Sequence, residues 1–440
     1  MGKNRVAYYL PNKGYTNVDF SDYKNANPGI GGSEYAVLLI ADELARCSTK
    51  LEVFLFVDKK CDNLKVLNSN LCVVEATSQN DTLDQLHKNA IKYFIYCYGY
   101  FDNNDFWRGL NEETEVVVLC ECFLPYKKLA EYTNNPKIAR IIAVGREQLD
   151  LYRDHAAFNK SDYIFNPITT EQIDNAKKCY SEKRRDKSVV FLGSLTPAKS
   201  FDVLAKAWPN VIKRVPDATL DVIGGGNLYN RDWKLGQWGL AEESFENSFM
   251  KPLLDDNGKI LQSVKFWGVL GSEKNQILRS ACVGVPNPTG KTETYGFVAV
   301  EMQMAGCLIA TMKCPGFLDT VVCKQSILYG SPAKLARSIV LLLSKKNDTF
   351  HQTIHDIDLK FNLTKIGAEW EKLLTECIPY GQYLHDHNKL ENANYAFKWL
   401  REINRKIKGI IPGGETLPSL LFYEYALFKL KIRRPYYLKF

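Results

Sequence analysis

The sequence predicts an α/β protein: two parallel-sheet domains in succession and a helical tail. Three observations predict this. Apolar runs of strand length, bounded by Gly, Pro or Asn, alternate with stretches whose apolar residues recur at helical spacing. The alternation breaks off in a polar, charged stretch at 169–187 and restarts at Val189, and a chain of 440 residues suits two domains and a tail. Residues 281–306 read strand, polar loop, helix, so the loop lies at the carboxyl end of a strand, where open α/β sheets bind ligands. The expected divisions are 1–168, 169–378 and a tail at 379–440.

Bulk properties exclude several classes. Hydrophobic residues make up 45% and charged residues 24%, which argues against disorder. Twelve cysteines occur without a CxxC pair, as in a cytoplasmic protein with reduced thiols. The opening MGKNRVAYYLPNKG has too short an apolar run for a leader, and no later run reaches spanning length. Charge is uneven. Residues 401–440 hold nine Lys/Arg against three Glu, most of the net +7, which argues for one local basic patch and against a nucleic-acid protein.

In the first domain, strand 5–10 ends at Pro11. An Asn- and Gly-rich loop runs to Gly31-Gly32-Ser33-Glu34 and opens a helix, 35–46, with Val37, Leu38, Ile40, Ala41, Leu44 and Ala45 on its apolar face. The glycines let backbone approach a ligand, and a helix start offers N–H groups to phosphate. The loop lacks both GxGxxG and GK[ST], so a plain helix cap by Ser33 competes with a phosphate role. Strands follow at 51–57, 71–74, 93–97, 116–119 and 141–144. Cys120-Glu121-Cys122 stands at the carboxyl end of the 116–119 strand; two thiols with no nearby partners read as core and rim rather than metal ligands. A helix with Leu149 and Leu151 and then the stretch Asp162-Tyr163-Ile164-Phe165-Asn166-Pro167-Ile168 follow.

The second domain follows a connector whose charge run, 183–187, reads as solvated. Strand 189–192, the loop Gly193-Ser194-Leu195-Thr196-Pro197-Ala198-Lys199-Ser200 and helix 201–214 come first. Strand 218–223 ends in Gly224-Gly225-Gly226, which suggests close backbone approach. An excursion at 227–263 carries Trp233, Trp238, Phe245 and Phe249. It is open whether it meets an acceptor, the other domain or only itself. Strand 264–267 and a helix capped by Ser272 lead to the 281–306 unit, with Gly306 at the C′ position. Strands at 308–311 and 327–329 and helical patterns from 334 to 378 complete it. His351/His355 and His385/His387 read as exposed residues, not metal ligands.

Within the loop after strand 281–285, Glu293 and Glu301 stand eight apart, with the amides of Tyr295, Gly296 and Phe297 between them. A carboxylate accepts two neighbouring sugar hydroxyls, and helix-start amides receive phosphate oxygens. Two solvated glutamates are the bland alternative.

The E-x7-E spacing inside GKTETYGFVAVEMQMAG resembles the signature of the retaining GT-B glycosyltransferases of family four. The resemblance implies two Rossmann-like domains facing an interdomain cleft. Glu293 would contact the transferred sugar and Glu301 the ribose, with Thr294, Tyr295, Gly296 and Phe297 lining the donor. The family's Gly-Arg-Leu-x-x-x-Lys-Gly loop falls on residues 193–200: Lys199 matches the lysine that neutralises the diphosphate, and Ser194 stands where the arginine belongs. Arg279, Lys291 or the first domain could supply the missing charge. Gly31 and Gly32 match the GGxE element facing the diphosphate, Gly224 joins the donor side, and the backbone near Phe266 and Trp267 is where relatives hold the base. Gly316-x-x-Asp319 replaces a Gly-x-x-Glu. Relatives carry a histidine near Cys120 and Glu121, so these two become the acceptor-side candidates.

The implied reaction moves a hexosyl or N-acetylhexosaminyl group from a nucleoside-diphosphate sugar, UDP favoured, to a glycan or glycolipid acceptor, with no metal and no cofactor. Cell-envelope polysaccharide synthesis in the cytoplasm, at the inner face of the plasma membrane, is the expected setting. The tail at 417–440 mixes apolar, aromatic and basic residues; it lies on an anionic membrane surface, packs back on the enzyme or forms a dimer contact. Two other classes compete: a non-catalytic GT-B partner subunit, which would explain Ser194, and a nicotinamide oxidoreductase, which should show the GxGxxG that neither domain has.

Overall fold

The computed structural model describes residues 2–101, 103–181, 184–226, 234–376, 382–414 and 417–430. By contact the chain divides into two compact units. The first comprises 1–21, 33–167 and 363–440, the second 22–32 and 168–362.

The first unit is built on seven strands: β1 (Asn4–Leu10), β2 (Leu51–Val57), β3 (Cys72–Glu75), β4 (Tyr93–Cys97), β5 (Glu115–Cys120), β6 (Ile138–Ala143) and β7 (Ser161–Tyr163). They form one parallel sheet in the order β3-β2-β1-β4-β5-β6-β7. Val6, Leu55, Phe94 and Val118 are fully buried, as expected where helices cover both faces of a parallel sheet. Strand β6 starts three residues ahead of its expected position, because Arg140 inside it is itself buried. The helix after β1 spans Gly32–Cys47, so Ser33 lies inside its first turn rather than before it.

The second unit has six strands: β8 (Ser188–Leu192), β9 (Thr219–Ile223), β10 (Val264–Gly268), β11 (Val283–Val285), β12 (Leu308–Met312) and β13 (Ile327–Tyr329). Their order is β10-β9-β8-β11-β12-β13, again all parallel. The strand order reverses between β8 and β11, which makes that junction the topological switch point of a Rossmann-like sheet. Phe191, Trp208, Val222, Val283 and Ile339 meet in one core. Residues 227–233 of the expected excursion, Trp233 among them, lie outside the described residues. The rest packs on its own unit: Phe249 lies edge-on to Phe201 with centroids 5.0 Å apart, and buried Glu246 accepts from the amides of Trp238, Leu240 and Ala241.

Three features depart from the sequence reading. Helix Leu363–Thr375, assigned above to the second domain, packs in the first unit: Trp370 sits edge-on to Tyr8, and the Asn4 amide donates to the Leu374 carbonyl at 3.0 Å. Residues 22–32 pack in the second unit, where the Thr169 hydroxyl donates to the Lys24 carbonyl and Asn175 to Asn25. The charge run is not merely solvated, since Arg184 donates to the carbonyls of Arg279, Ala281 and Ala305. In the tail, helices Lys398–Ile410 and Leu420–Lys429 pack in the first unit. Among the described residues no helix is long and apolar enough to cross a membrane.

Candidate active site

In the second unit, β8 and β11 are neighbours, paired Val283 to Val189 and Val285 to Phe191. Their carboxyl ends release the two loops that the sequence singles out. From the first, Lys199 extends its Nζ to Glu293 Oε1 of the second at 2.5 Å. Glu293 is nearly buried and Lys199 about a quarter exposed. The Ser200 hydroxyl pairs with that of Thr289 at 2.8 Å and ties the loops together.

Asn287, which sequence reasoning missed, organises this contact. It is fully buried, and its Nδ2 donates to Glu293 Oε1 at 3.0 Å and lies 3.1 Å from the carbonyls of Ala198 and Lys291. A polar residue between two prolines, Pro286-Asn287-Pro288, was the available signal. The loop turns through left-handed backbone at Gly290, Thr292 and Gly296. At Thr292, with φ of 65°, this is costly for a β-branched residue and is held by the surrounding bonds. Gly296 then opens helix Phe297–Met304, and a Cβ there would meet the Phe317 ring at 2.6 Å. Thr294 and Tyr295 are buried; Tyr295 packs on Phe297 and Phe361, so its side chain is core and only its backbone borders the loop.

Of the glycines singled out above, Gly32 lies beside the start of this helix. The Phe297 ring lies against Gly32, where a Cβ would be 3.0 Å from Cδ2. Asn27 shapes the turn before Gly31 and Gly32 by accepting from the amides of Gly29 and Ile30. Gly224 has a different neighbour: a Cβ there would collide with the Gly193 carbonyl, so glycine is required for the ends of β8 and β9 to pack.

Glu301 sits one turn along the helix from Phe297. It pairs with Lys274 Nζ at 3.1 Å, both side chains largely buried. It also lines a cavity of about 280 Å³ with Arg279, Asn275, Asn175 and Asp22. Lys274 is a second residue the sequence reading missed. Arg279, proposed as a replacement charge, shares this cavity; Lys291 is exposed. Ser194 is buried, its hydroxyl 3.2 Å from that of Thr196, so it faces its own loop. Phe266 packs toward Phe201 and Phe249, whereas Trp267 donates to Asp221 at 2.7 Å with Lys265 over its ring. The Gly-x-x-Asp turn is a short helix, Pro315–Thr320, with Asp319 buried.

In the first unit, Cys120 is sealed in the core. Its burial rules out the expected contact with an acceptor, and of the two candidates Glu121 remains to be proposed for that role. Glu121 accepts from Asn166 at 3.0 Å and from the Ser33 hydroxyl. Burial pushes its carboxyl up to about 7, and the neighbouring Glu34 carboxyl adds to the shift. Burial also raises Glu34, which bonds the Tyr15 hydroxyl. His385 and His387 are not exposed as expected: both ring systems converge on Asp162 Oδ1, at 3.1 and 3.2 Å. Among the described residues no group of three or more His, Cys, Asp or Glu is placed to hold a metal ion.

Residues 186–345, which contain all these second-unit loops from Gly193 to Asp319, match the family model described as Glycosyl transferases group 1. A phosphatidyl-myo-inositol mannosyltransferase of Mycobacterium tuberculosis is 28% identical over 156 residues, 35% of this chain and 35% of that one. The match thus spans about a third of that relative's length. Sucrose-phosphate synthase from Thermosynechococcus elongatus shares the fold with a TM-score of 0.61 at 13% identity, over 84% of this chain and 98% of that one. S. aureus TarM, in a complex that holds UDP, aligns with a TM-score of 0.51 at 15% identity, over 68% of this chain and 59% of that one. The chain thus resembles the Glycosyl transferases group 1 model over 186–345 and has the GT-B fold, with two Rossmann-like units and a C-terminal helical region.

Proposed function

We propose that the chain is a retaining, metal-independent glycosyltransferase of family four. It moves a hexosyl or N-acetylhexosaminyl group from a nucleoside-diphosphate sugar, UDP favoured, to a hydroxyl of a glycan or glycolipid of the cell envelope. The observation that carries the reading is the Lys199–Glu293 pair at the switch point of the second sheet, beside the start of helix Phe297–Met304. Support for the donor comes from the group 1 match around this loop pair and from the UDP held by TarM.

The chemical demand is the negative charge that grows on the departing diphosphate. Lys199 trades Glu293 for the diphosphate, and the helix start adds its dipole. Donors already in place in a dry site are each worth several kcal/mol at the transition state. Glu293, released but still held by Asn287, accepts hydroxyls of the transferred sugar. Glu301, oriented by Lys274, accepts the ribose hydroxyls. The bond from the anomeric carbon to the phosphate oxygen breaks, the bond to the acceptor oxygen forms on the same face, and the acceptor's proton passes to the leaving phosphate. Glu121 serves the acceptor side. The reaction takes place in the cytoplasm at the inner face of the plasma membrane, reached through 417–440; residues 431–440 of that stretch lie outside the described residues.

Thermal shifts with a panel of UDP-, GDP- and ADP-sugars, followed by release of the nucleoside diphosphate in the presence of glycan and glycolipid acceptors, test this. Stabilisation by one donor class with acceptor-dependent release is expected. Donor binding without release under any acceptor would favour the partner-subunit reading, and no stabilisation by any sugar nucleotide would overturn both.

A further inference from the structure

Helix Lys398–Ile410 is docked in the first unit the wrong way round for a soluble protein. An ordinary surface helix buries its apolar stripe and shows its charges to water. Here the charges go inward. Lys398 is completely buried, with its Nζ 2.8 Å from Glu147 and 3.1 Å from Asp150. Arg401, also completely buried, donates to the Leu151 carbonyl at 3.0 Å and to Glu424 at 2.8 Å. Glu402 receives Arg153, Asn404 donates to Asp154, and Lys408 donates to the Asp154 carbonyl. Positions 398, 401, 402, 404, 405 and 408 thus make one inward polar stripe.

The opposite stripe is apolar and open. Trp399, Leu400, Ile403 and Ile407 are each at least 37% exposed, and Ile410 is 81% exposed. Ile411, Leu417, Phe422, Tyr423 and Leu430 are exposed in the segment that follows. The buried ion pairs fix the helix's rotation: turning the apolar stripe inward would carry Lys398 and Arg401 out to water and leave the buried carboxylates of Glu147, Asp150 and Glu424 without their cations, which costs several kcal/mol per ion.

Charge selects the occupant. Of the three acidic residues of 398–440, Glu402 and Glu424 are turned inward onto arginines, and Glu415 lies outside the described residues. The cations Lys406 and Lys429 remain at the surface, and the sequence beyond adds Lys431, Arg433, Arg434 and Lys439 with no acid. A two-fold contact with a second copy would set these cations against their own kind. An anionic bilayer offers both halves of the match, apolar depth for the isoleucines and Trp399 and phosphate headgroups for the lysines.

We propose that the outward face of helix Lys398–Ile410, continued by Phe422 and Tyr423, is the surface that seats this protein on an anionic lipid bilayer. The proposal builds on the membrane contact proposed above for 417–440 and moves its centre to the preceding helix.

Flotation of the full chain with vesicles of phosphatidylcholine, alone or mixed with phosphatidylglycerol, tests it. Binding is expected to the mixed vesicles, to weaken as salt is raised and to be small on phosphatidylcholine alone. Ile403→Asp/Ile407→Asp, at exposed positions, should lower partitioning roughly tenfold or more. The same variant should keep its thermal melt, its donor-induced shift and its nucleotide release with a soluble acceptor, so that a failed enzyme reading and a failed lipid reading give different results. Absence of binding to mixed vesicles, or equal binding by the variant, would overturn the proposal. So would self-association of the wild type in sedimentation velocity that the variant abolishes while vesicle binding is absent, because a second copy would then cover the face.

Discussion

The two sheets repeat one wiring, yet their carboxyl ends carry different electrostatics. In the second unit each carboxylate of interest has its own ammonium: Glu293 has Lys199 and Glu301 has Lys274. In the first unit burial raises both Glu34 and Glu121, the Glu34 carboxyl adds to the rise of Glu121, and the two are bonded by Tyr15, Ser33 and Asn166, all neutral donors. Topology therefore puts loops at the right end of a sheet but does not choose their chemistry. Cations that can change partners suit an anionic diphosphate. Carboxyls whose ionisation is disfavoured by burial suit a hydroxyl-bearing molecule without charge.

That contrast can be broken most sharply at Glu293. Glu293→Gln is expected to lower turnover about 10²-fold or more while donor affinity stays within a few-fold, measured by initial rates beside calorimetric binding. Equal loss in both would reduce Glu293 to a ground-state contact. Glu301→Gln should act the other way, weakening donor binding roughly tenfold with turnover at saturating donor near wild type, since a charge-assisted hydrogen bond is worth about 1.5–3 kcal/mol.

The first unit's half of the comparison is a pH experiment. The Glu121 carboxyl titrates at about 7 in the fold against 4.5 unfolded, chiefly through burial. The unfolded chain then loses this proton first, so the group's contribution to stability falls as pH rises from about 4.5 to about 7 and is level above. Glu121→Gln should remove that slope, and its melting temperature should gain on the wild type across the same window. A gap independent of pH would mean that Glu121 is ionised in the fold.

The smallest effect concerns His385. Burial alone would lower its pKa, but the carboxylates of Asp162 and Glu369 outweigh this and lift it to about 9. Its stabilisation is complete below the unfolded value of about 6.5 and is lost as pH rises through about 9. His385→Asn should flatten the melting temperature over that range by a few degrees; an unchanged profile would leave the contact without net worth.

Much of this was legible. Alternating apolar runs located the strands, because a parallel strand buried on both faces must be apolar throughout, and the 281–306 loop declared itself by polar residues between a strand and a helix. What escaped shares one physical cause. Asn287 and Lys274 act through partners brought near by the fold, Asn287 through the Ala198 carbonyl 89 positions away. Arg184 looked solvated because its acceptors lie at the carboxyl ends of two distant helices. His385 and His387 looked exposed because Asp162 is more than 220 residues distant.

The sequence by itself determined the α/β class, the two sheets and the loops that bear Lys199, Glu293 and Glu301, since strand and helix periodicity and loop chemistry are local properties of the chain. Only the tertiary structure decided that Lys199 meets Glu293, that helix Leu363–Thr375 belongs to the first unit, and that helix Lys398–Ile410 turns its isoleucines outward. Each of those depends on which distant charges and rings share a buried space, and spacing along the chain carries no record of that.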